Sequence, residues 1–165
     1  MEYVFDASAL IYLGKVRALE NVSLLSGKKF IPEKVYDEVV LKGLERREPE
    51  ATYINNLIKE KKFLLAKPKL KKEKKASLSQ ADMDVIFLAK EKNAIAIIDE
   101  IYAREVAESV GVKRHGTIYL ILLLVQEKKI TKKLAKQYID EMVRYGFYLS
   151  IEMYKETMTK IEMME

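Results

Sequence analysis

The sequence has no cysteine and no tryptophan, and it has one histidine, three prolines and six glycines among 165 residues. The absence of cysteine excludes disulfide scaffolds, thiolate zinc sites, iron–sulfur clusters and thiol nucleophiles. A single histidine excludes metal centres and catalytic arrangements that need several histidines. Any metal bound by this chain must therefore be a hard cation held by oxygen ligands.

Long hydrophobic runs are also absent. The longest covers residues 118–125, whereas a membrane span requires roughly 18 apolar residues or more. The N-terminus shows no basic region or cleavage pattern of an export signal, so we expect a cytoplasmic protein with no membrane partner. No glycine-rich phosphate loop is present, which argues against nucleotide binding of that kind.

The charge balance is modestly basic, with 30 lysines and arginines against 25 acidic residues and a formal net charge of +5. This excess is compatible with binding a polyanion such as RNA. Six lysines between residues 67 and 75 predict either a solvated loop or a rim that attracts phosphate groups. The high charged fraction, 33%, together with the absence of cysteine, indicates either a thermophile or simply a well-solvated surface.

Short apolar runs alternate with amphipathic segments along the whole chain. The runs predict strands over 3–5, 28–31, 63–66, 94–98 and 112–115, with helices between them, the first capped by Ser8. This alternation predicts a three-layer α/β/α fold with a central, mostly parallel sheet of four to five strands. We expect one domain over 1–165, whose C-terminal helices, 131–164, pack on the core or form a dimer face.

Acidic residues follow two of the predicted strands directly: Asp6 follows the first and Asp99 the fourth. Ligands bind at the carboxyl ends of parallel strands, so these side chains are expected to meet, joined by Glu38 and Asp82 from nearby helices. Clustered carboxylates raise one another's pKa unless a cation lies between them, and Mg²⁺ or Mn²⁺ suits such ligands. A metal so held can activate water against a phosphodiester. Taken singly, each acid could instead be a turn former, a helix cap or a surface residue.

Four segments in this order resemble a PIN domain, the metal-dependent ribonuclease fold of many toxin and RNA-processing proteins. They read VFDASAL at 4–10, IPEKVYDE at 31–38, LSQADMDVIFLA at 78–89 and IIDE at 97–100. The segments GTIYL at 116–120 and GFYLS at 146–150 look like a PIN-like subfamily of bacteria and archaea whose role is poorly defined. The resemblance covers nearly the whole chain.

The resemblance implies hydrolysis of RNA with Mg²⁺ or Mn²⁺ as cofactor. It implies a set of catalytic and metal-binding carboxylates, namely Asp6, Glu38, Asp82 and Asp99, with Asp84 and Glu100 as further metal ligands. Ser8 would orient the Asp6 carboxylate through its hydroxyl. Thr117 would either bond toward the acids or cap the following helix. One departure from the family pattern is Ile98, which stands where a threonine often precedes the aspartate.

Other functions are compatible with the same residues. The chain could be a non-catalytic RNA- or protein-binding module of this fold, or a toxin held by a small antitoxin protein. His115 is either a structural residue or one that approaches the substrate. The apolar helix at 118–125 must be buried all round, either by later helices or by a second copy in a homodimer.

Overall fold

The computed structural model describes residues 1–70 and 77–165, and it alternates short strands with helices. The strands are β1 (Tyr3–Phe5), β2 (Lys29–Pro32), β3 (Leu64–Ala66), β4 (Ile95–Ile97) and β5 (Arg114–His115). The helices of the first half are α1 (Ala7–Lys15), α2 (Leu19–Ser23), α3 (Glu33–Tyr36), α4 (Lys42–Glu45) and α5 (Pro49–Lys59). Those of the second half are α6 (Gln80–Lys92), α7 (Ile101–Ser109), α8 (Thr117–Gln126), α9 (Lys132–Arg144) and α10 (Ile151–Met163).

The five strands form one sheet in the order β3-β2-β1-β4-β5, and every neighbouring pair is parallel. Val4 in β1 lies opposite Phe30 on one side and Ala96 on the other. Helices cover the sheet in a three-layer α/β/α arrangement, which confirms the predicted fold class. Strands β2 and β3 lie in succession on one side of β1, whereas β4 and β5 lie on its other side. The strand order therefore reverses between β1 and β4.

Burial explains why these short strands hold together. All three residues of β1 and of β4 are buried, as expected for parallel strands covered on both faces. Helix α6 packs across β1, β2 and β4, and it buries an almost continuous segment of its own, Met83–Ala89. Its start is fixed by Ser79, whose hydroxyl accepts a hydrogen bond from the N–H of Asp82.

The helix predicted after β2 is not a continuous α-helix. Between α3 and α4 the backbone forms a π-helical turn at Asp37–Leu41. The apolar residues of this segment, Val35, Val39 and Val40, are nevertheless buried. The spacing of apolar residues indicated which face is buried, but it did not indicate the one-residue widening of the turn.

The expectation that the apolar helix at 118–125 is buried all round is wrong, because Ile118, Tyr119, Leu122 and Leu123 are only half-buried. Helix α8 packs against α2 and α9, and Leu120, Ile121 and Leu124 are fully buried. Helix α10 packs on α9 and buries Ile161, while Ile151 is exposed. In the described residues no helix is long and apolar enough to cross a membrane. Most of the predicted lysine-rich rim falls on residues 71–76, which lie outside the described residues.

Candidate functional site

Asp6 and Asp99 meet where the strand order reverses. Asp6 follows β1 and is the N-cap of α1, where its Oδ1 accepts a hydrogen bond from the N–H of Ala9 at 2.7 Å. Its Oδ2 lies 3.4 Å from the backbone N–H of Asp99, which follows β4. In open parallel sheets this crevice is the usual binding place for ligands. The predicted meeting of these two acids at one sheet edge is therefore what the structure shows.

The Asp6 carboxyl group is in an environment that disfavours its charge. Only 5% of the residue is exposed. Burial, then the nearby charge of Asp99 and, more weakly, that of Asp82, raise the pKa of Asp6 from its ordinary 3.8 to about 7. The hydrogen bonds from the Ala9 and Asp99 N–H groups act in the opposite direction. A cation placed between these carboxylates would reverse the balance and stabilise the ionised form.

Asp99 is held in a fixed orientation by Thr117. The Thr117 N–H donates to Oδ1 of Asp99 at 2.8 Å, and its hydroxyl donates to Oδ2 at 2.5 Å. Thr117 is fully buried. The N-cap of α8 is Gly116, not Thr117, so of the two roles considered from the sequence the structure shows the bond to the acid.

A guanidinium group lies beside the same carboxylate. Arg104 on α7 donates from Nε to the Ile98 carbonyl at 2.6 Å, and its Nη2 lies 3.7 Å from Oδ1 of Asp99. Gly116 makes this approach possible, because a Cβ there would lie 2.3 Å from Nη2 of Arg104 and 2.9 Å from Oδ1 of Asp99. Sequence reasoning missed Arg104. The one hint in the sequence was Gly116, directly before Thr117, because no turn at that position requires a glycine and its missing side chain leaves space for a neighbour.

The two acids of α6 have different surroundings. Asp82 closes the capping box of the helix, and its Oδ2 accepts from the Ser79 N–H at 3.2 Å and the Ser79 hydroxyl at 2.7 Å. It is close enough to raise the pKa of Asp6. Asp84 is buried, and its Oδ1 accepts a hydrogen bond from Gln80 at 2.7 Å. Asp82 is thus the third acid near the Asp6–Asp99 pair.

The structure does not bring the remaining predicted residues into the pair's hydrogen-bond network. Glu38 is exposed on the π-helical turn. Glu100 caps α7 by accepting from the N–H groups of its first turn. The predicted bond from the Ser8 hydroxyl to Asp6 is not among the hydrogen bonds of the described residues, and the expected helix cap at Ser8 is wrong. Asp6 itself is the cap, because it is the residue with extended backbone directly before the first helical turn.

An aromatic pair comes from the two residues that flank Thr117 at a spacing of two positions. The rings of His115 and Tyr119 are stacked, with centroids 3.7 Å apart and planes inclined by 9°. The His115 carbonyl accepts a hydrogen bond from the N–H of Ile98, the residue before Asp99, at 2.8 Å. Burial, followed by the charges of Arg114 and Arg104, lowers the pKa of His115. The residue is exposed at the surface.

The carboxylate oxygens of Asp6 and Asp99 are ligands that a hard cation prefers, although two carboxylates alone do not complete the coordination of an ion. Among residues 1–70 and 77–165, no group of three or more acidic, histidine or cysteine side chains is arranged to hold a metal ion. The Asp6 and Asp99 carboxylates are oxygen donors in a buried site with excess negative charge. Mg²⁺ is commonly bound through one or two carboxylates while it keeps several waters. The pair therefore fits such an ion, with Asp82 as the nearest further carboxylate.

Comparison with known proteins agrees with this fold. The sequence model of the PIN domain family matches residues 2–163. The chain belongs to the PIN domain family. Members of this family are generally nucleases. No curated protein matches the chain.

Two solved structures are similar to this PIN domain. A PilT N-terminus domain protein from the hyperthermophilic archaeon Sulfolobus solfataricus is 19% identical, with a TM-score of 0.52 over 76% of this chain and 94% of its own. A domain of a functionally unknown protein from Methanocaldococcus jannaschii is also 19% identical, with a TM-score of 0.46 over 70% of this chain and 89% of its own. The first likeness supports the fold.

Proposed function

We propose that this PIN domain is a metal-dependent ribonuclease whose reaction centre is the Asp6–Asp99 pair. The observation that carries the proposal is the buried Asp6 carboxylate at the strand-order reversal, in contact with the backbone of Asp99. An acid in a crevice whose pKa is raised by burial and by nearby like charges is typical of a functional site. The net positive charge of the chain favours a polyanionic substrate.

Each residue near the pair has a distinct role in this proposal. Asp6 and Asp99 would hold Mg²⁺ or Mn²⁺, with Asp82 as a third carboxylate reached directly or through water. The ion would supply Lewis acidity that activates water and stabilises negative charge on the phosphodiester. Thr117 fixes the orientation of Asp99 through two hydrogen bonds, as partners of metal-binding groups commonly do.

The residues predicted from the resemblance alone have smaller roles in the proposed reaction. Glu38 would add a fourth carboxylate from the π-helical turn, which packs against α1, the helix that Asp6 caps. Asp84 is bonded to Gln80 and Glu100 to the first turn of its own helix, and neither is among the charges that act on Asp6, so we assign them structural roles. The homodimer and the antitoxin partner stay predictions.

The test is cleavage of labelled single-stranded RNA by the full chain with Mg²⁺ or Mn²⁺, and with EDTA in their place. Asp6→Asn and Asp99→Asn should each reduce the rate by at least about a hundredfold. Asp140→Asn is the matched control, because it also removes a hydrogen-bonded carboxylate, the one that accepts from Tyr154 at 2.6 Å. It should leave the rate unchanged. Cleavage that persists in EDTA, or in both site variants, would refute the proposal.

The non-catalytic alternative gives a different result in the same assay. A binding module that keeps the fold would retain RNA without metal-dependent turnover. RNA bound by the parent protein and recovered intact after incubation with Mg²⁺ and with Mn²⁺ would favour that alternative.

A further inference from the structure

We propose that His115, Tyr119 and Arg104 form a nucleotide-binding subsite beside Asp99, in which the stacked rings take an unpaired base of RNA and the guanidinium takes an adjacent phosphate. This inference deepens the proposed ribonuclease function, on which it rests. It assigns a substrate-binding role to three residues outside the acidic set.

The stacked rings of His115 and Tyr119 are held in a fixed orientation. His115 is exposed at the end of the edge strand β5, and its ring is held flat against that of Tyr119. A ring fixed in this way is already oriented when a ligand arrives, so little rotamer freedom is lost on binding. Aromatic side chains of this kind take unpaired bases by stacking, and they do so with little dependence on sequence.

The guanidinium group of Arg104 is held in position as well. Its guanidinium is anchored to the Ile98 carbonyl on one side and faces Asp99 on the other, and its side chain is 30% exposed. The missing Cβ at Gly116 leaves the space that this placement needs. A planar guanidinium that is partly exposed is well suited to phosphate oxygens.

Only a few residues connect the His115–Tyr119 stack to the acid pair. His115 pairs with Ile98 through the sheet, and Thr117, two residues later, holds Asp99. A base on the stack would therefore place the neighbouring phosphate near the Asp6–Asp99 pair. Single-stranded RNA fits this arrangement, because bases in a duplex are stacked on each other and are not available to a side chain.

The test is binding of a fluorescein-labelled, 12-nucleotide single-stranded RNA to the full chain in EDTA, followed by fluorescence anisotropy. His115→Ala should weaken the Kd by about fivefold to a hundredfold, the range expected from losing one base–aromatic stack. His115→Phe keeps a stacking face and should bind within about twofold of the parent. Tyr148→Ala is the control, because Tyr148 is 87% exposed between α9 and α10 and should not matter.

The phosphate contact has its own readout. Arg104→Gln should reduce the slope of log K against log salt by about 0.7, the value for one phosphate contact on a single strand. His115→Ala should leave that slope unchanged. Arg17→Gln is the matched control, because Arg17 follows the end of α1 and thus lies at the opposite edge of the sheet from Asp6.

The outcomes separate this inference from the proposed function. Unchanged affinity in His115→Ala, an equal loss in Tyr148→Ala, or no RNA binding by the parent would overturn the subsite. Equal sensitivity of a blunt RNA duplex to His115→Ala would also overturn it. Metal-dependent cleavage that fails while His115→Ala still weakens binding would instead refute the nuclease. Melting temperatures within about 3 °C of the parent are required of every variant, and His115→Phe remains the deciding comparison if His115→Ala is unstable.

Discussion

The backbone N–H of Asp99 lies 3.4 Å from Oδ2 of Asp6, although 93 residues separate them along the chain. The contact follows from the parallel pairing of β1 with β4, in which Phe5 lies opposite Ile97. Asp6, directly after Phe5, and Asp99, two residues after Ile97, therefore leave the sheet at the same edge, where the Asp99 N–H reaches the Asp6 carboxylate. The acid pair is thus a direct consequence of strand register, and any change that alters this register alters the site.

The first prediction concerns stability and pH in the absence of metal. The Asp6 pKa is raised from 3.8 to about 7, so between these values the folded state binds a proton that the unfolded state has lost. The free energy of unfolding should therefore fall as pH rises from about 4 to about 7, by at most roughly 4 kcal/mol, and level off above that.

Urea titrations of the parent and of Asp6→Asn in EDTA at several pH values provide the measurement. The difference between the two proteins isolates Asp6 from the other titrating groups. The parent should lose stability relative to Asp6→Asn across this range. A difference that stays constant from pH 4 to pH 8 would show that Asp6 is not in a charge-disfavouring environment.

The second prediction concerns the hydroxyl that holds Asp99. Thr117→Val keeps the shape of the buried side chain but removes the 2.5 Å bond to Oδ2. We expect metal affinity or cleavage to fall by about tenfold to a hundredfold and stability to fall by about 1–3 kcal/mol. Thr157→Val, at a buried threonine of α10, is the control for stability alone. Normal cleavage by Thr117→Val at normal metal concentrations would contradict this role.

The third prediction compares the effects of substituting two glycines. Gly116→Ala adds a Cβ that meets Arg104 and Asp99, while its backbone, with φ of −91°, accepts alanine without strain. Gly111 has a φ of +78°, and a Cβ added there would have no neighbouring atom within 4 Å, so Gly111→Ala meets only backbone strain of about 1 kcal/mol. Cleavage should fall at least about tenfold in the first variant and stay normal in the second. Melting curves and cleavage rates measured together check both, and equal activities would count against the packing around Asp99.

The fourth prediction ranks the acids. Glu38 is exposed on its turn, whereas Asp6 is buried against Asp99, so Glu38→Gln should reduce cleavage less than Asp6→Asn does. We expect a loss of about tenfold or less, measured at saturating metal. A loss as large as that of Asp6→Asn would mean that Glu38 shares the reaction centre equally.

The sequence predicted the sheet and the two strand-end acids because both depend on local patterns. A buried apolar run that ends in an aspartate indicates a strand and its edge, as at Phe5 and Asp6. The alternation of strands and helices then predicts parallel pairing, and parallel pairing brings Asp99 to the same edge. No single residue had to be placed accurately for this result.

The features that the sequence did not reveal depend on contacts between distant segments. Arg104 is one of many basic residues, and only the space at Gly116 distinguishes it. The hydrogen bonds from Thr117 to Asp99 depend on the register of β5 against β4, in which His115 lies opposite Ile97. The choice of Asp6 rather than Ser8 as helix cap depends on where the backbone changes from extended to helical, since either side chain can cap a helix.

The most direct test of the account is a crystal of the full chain soaked in Mn²⁺, with anomalous difference density measured around the acids. We predict one peak within about 2.5 Å of carboxylate oxygens of both Asp6 and Asp99, a distance typical of hard cations on carboxylates, and no such peak in Asp6→Asn. An ion bound elsewhere, or a pair that stays free of metal at saturating Mn²⁺, would contradict the central claim.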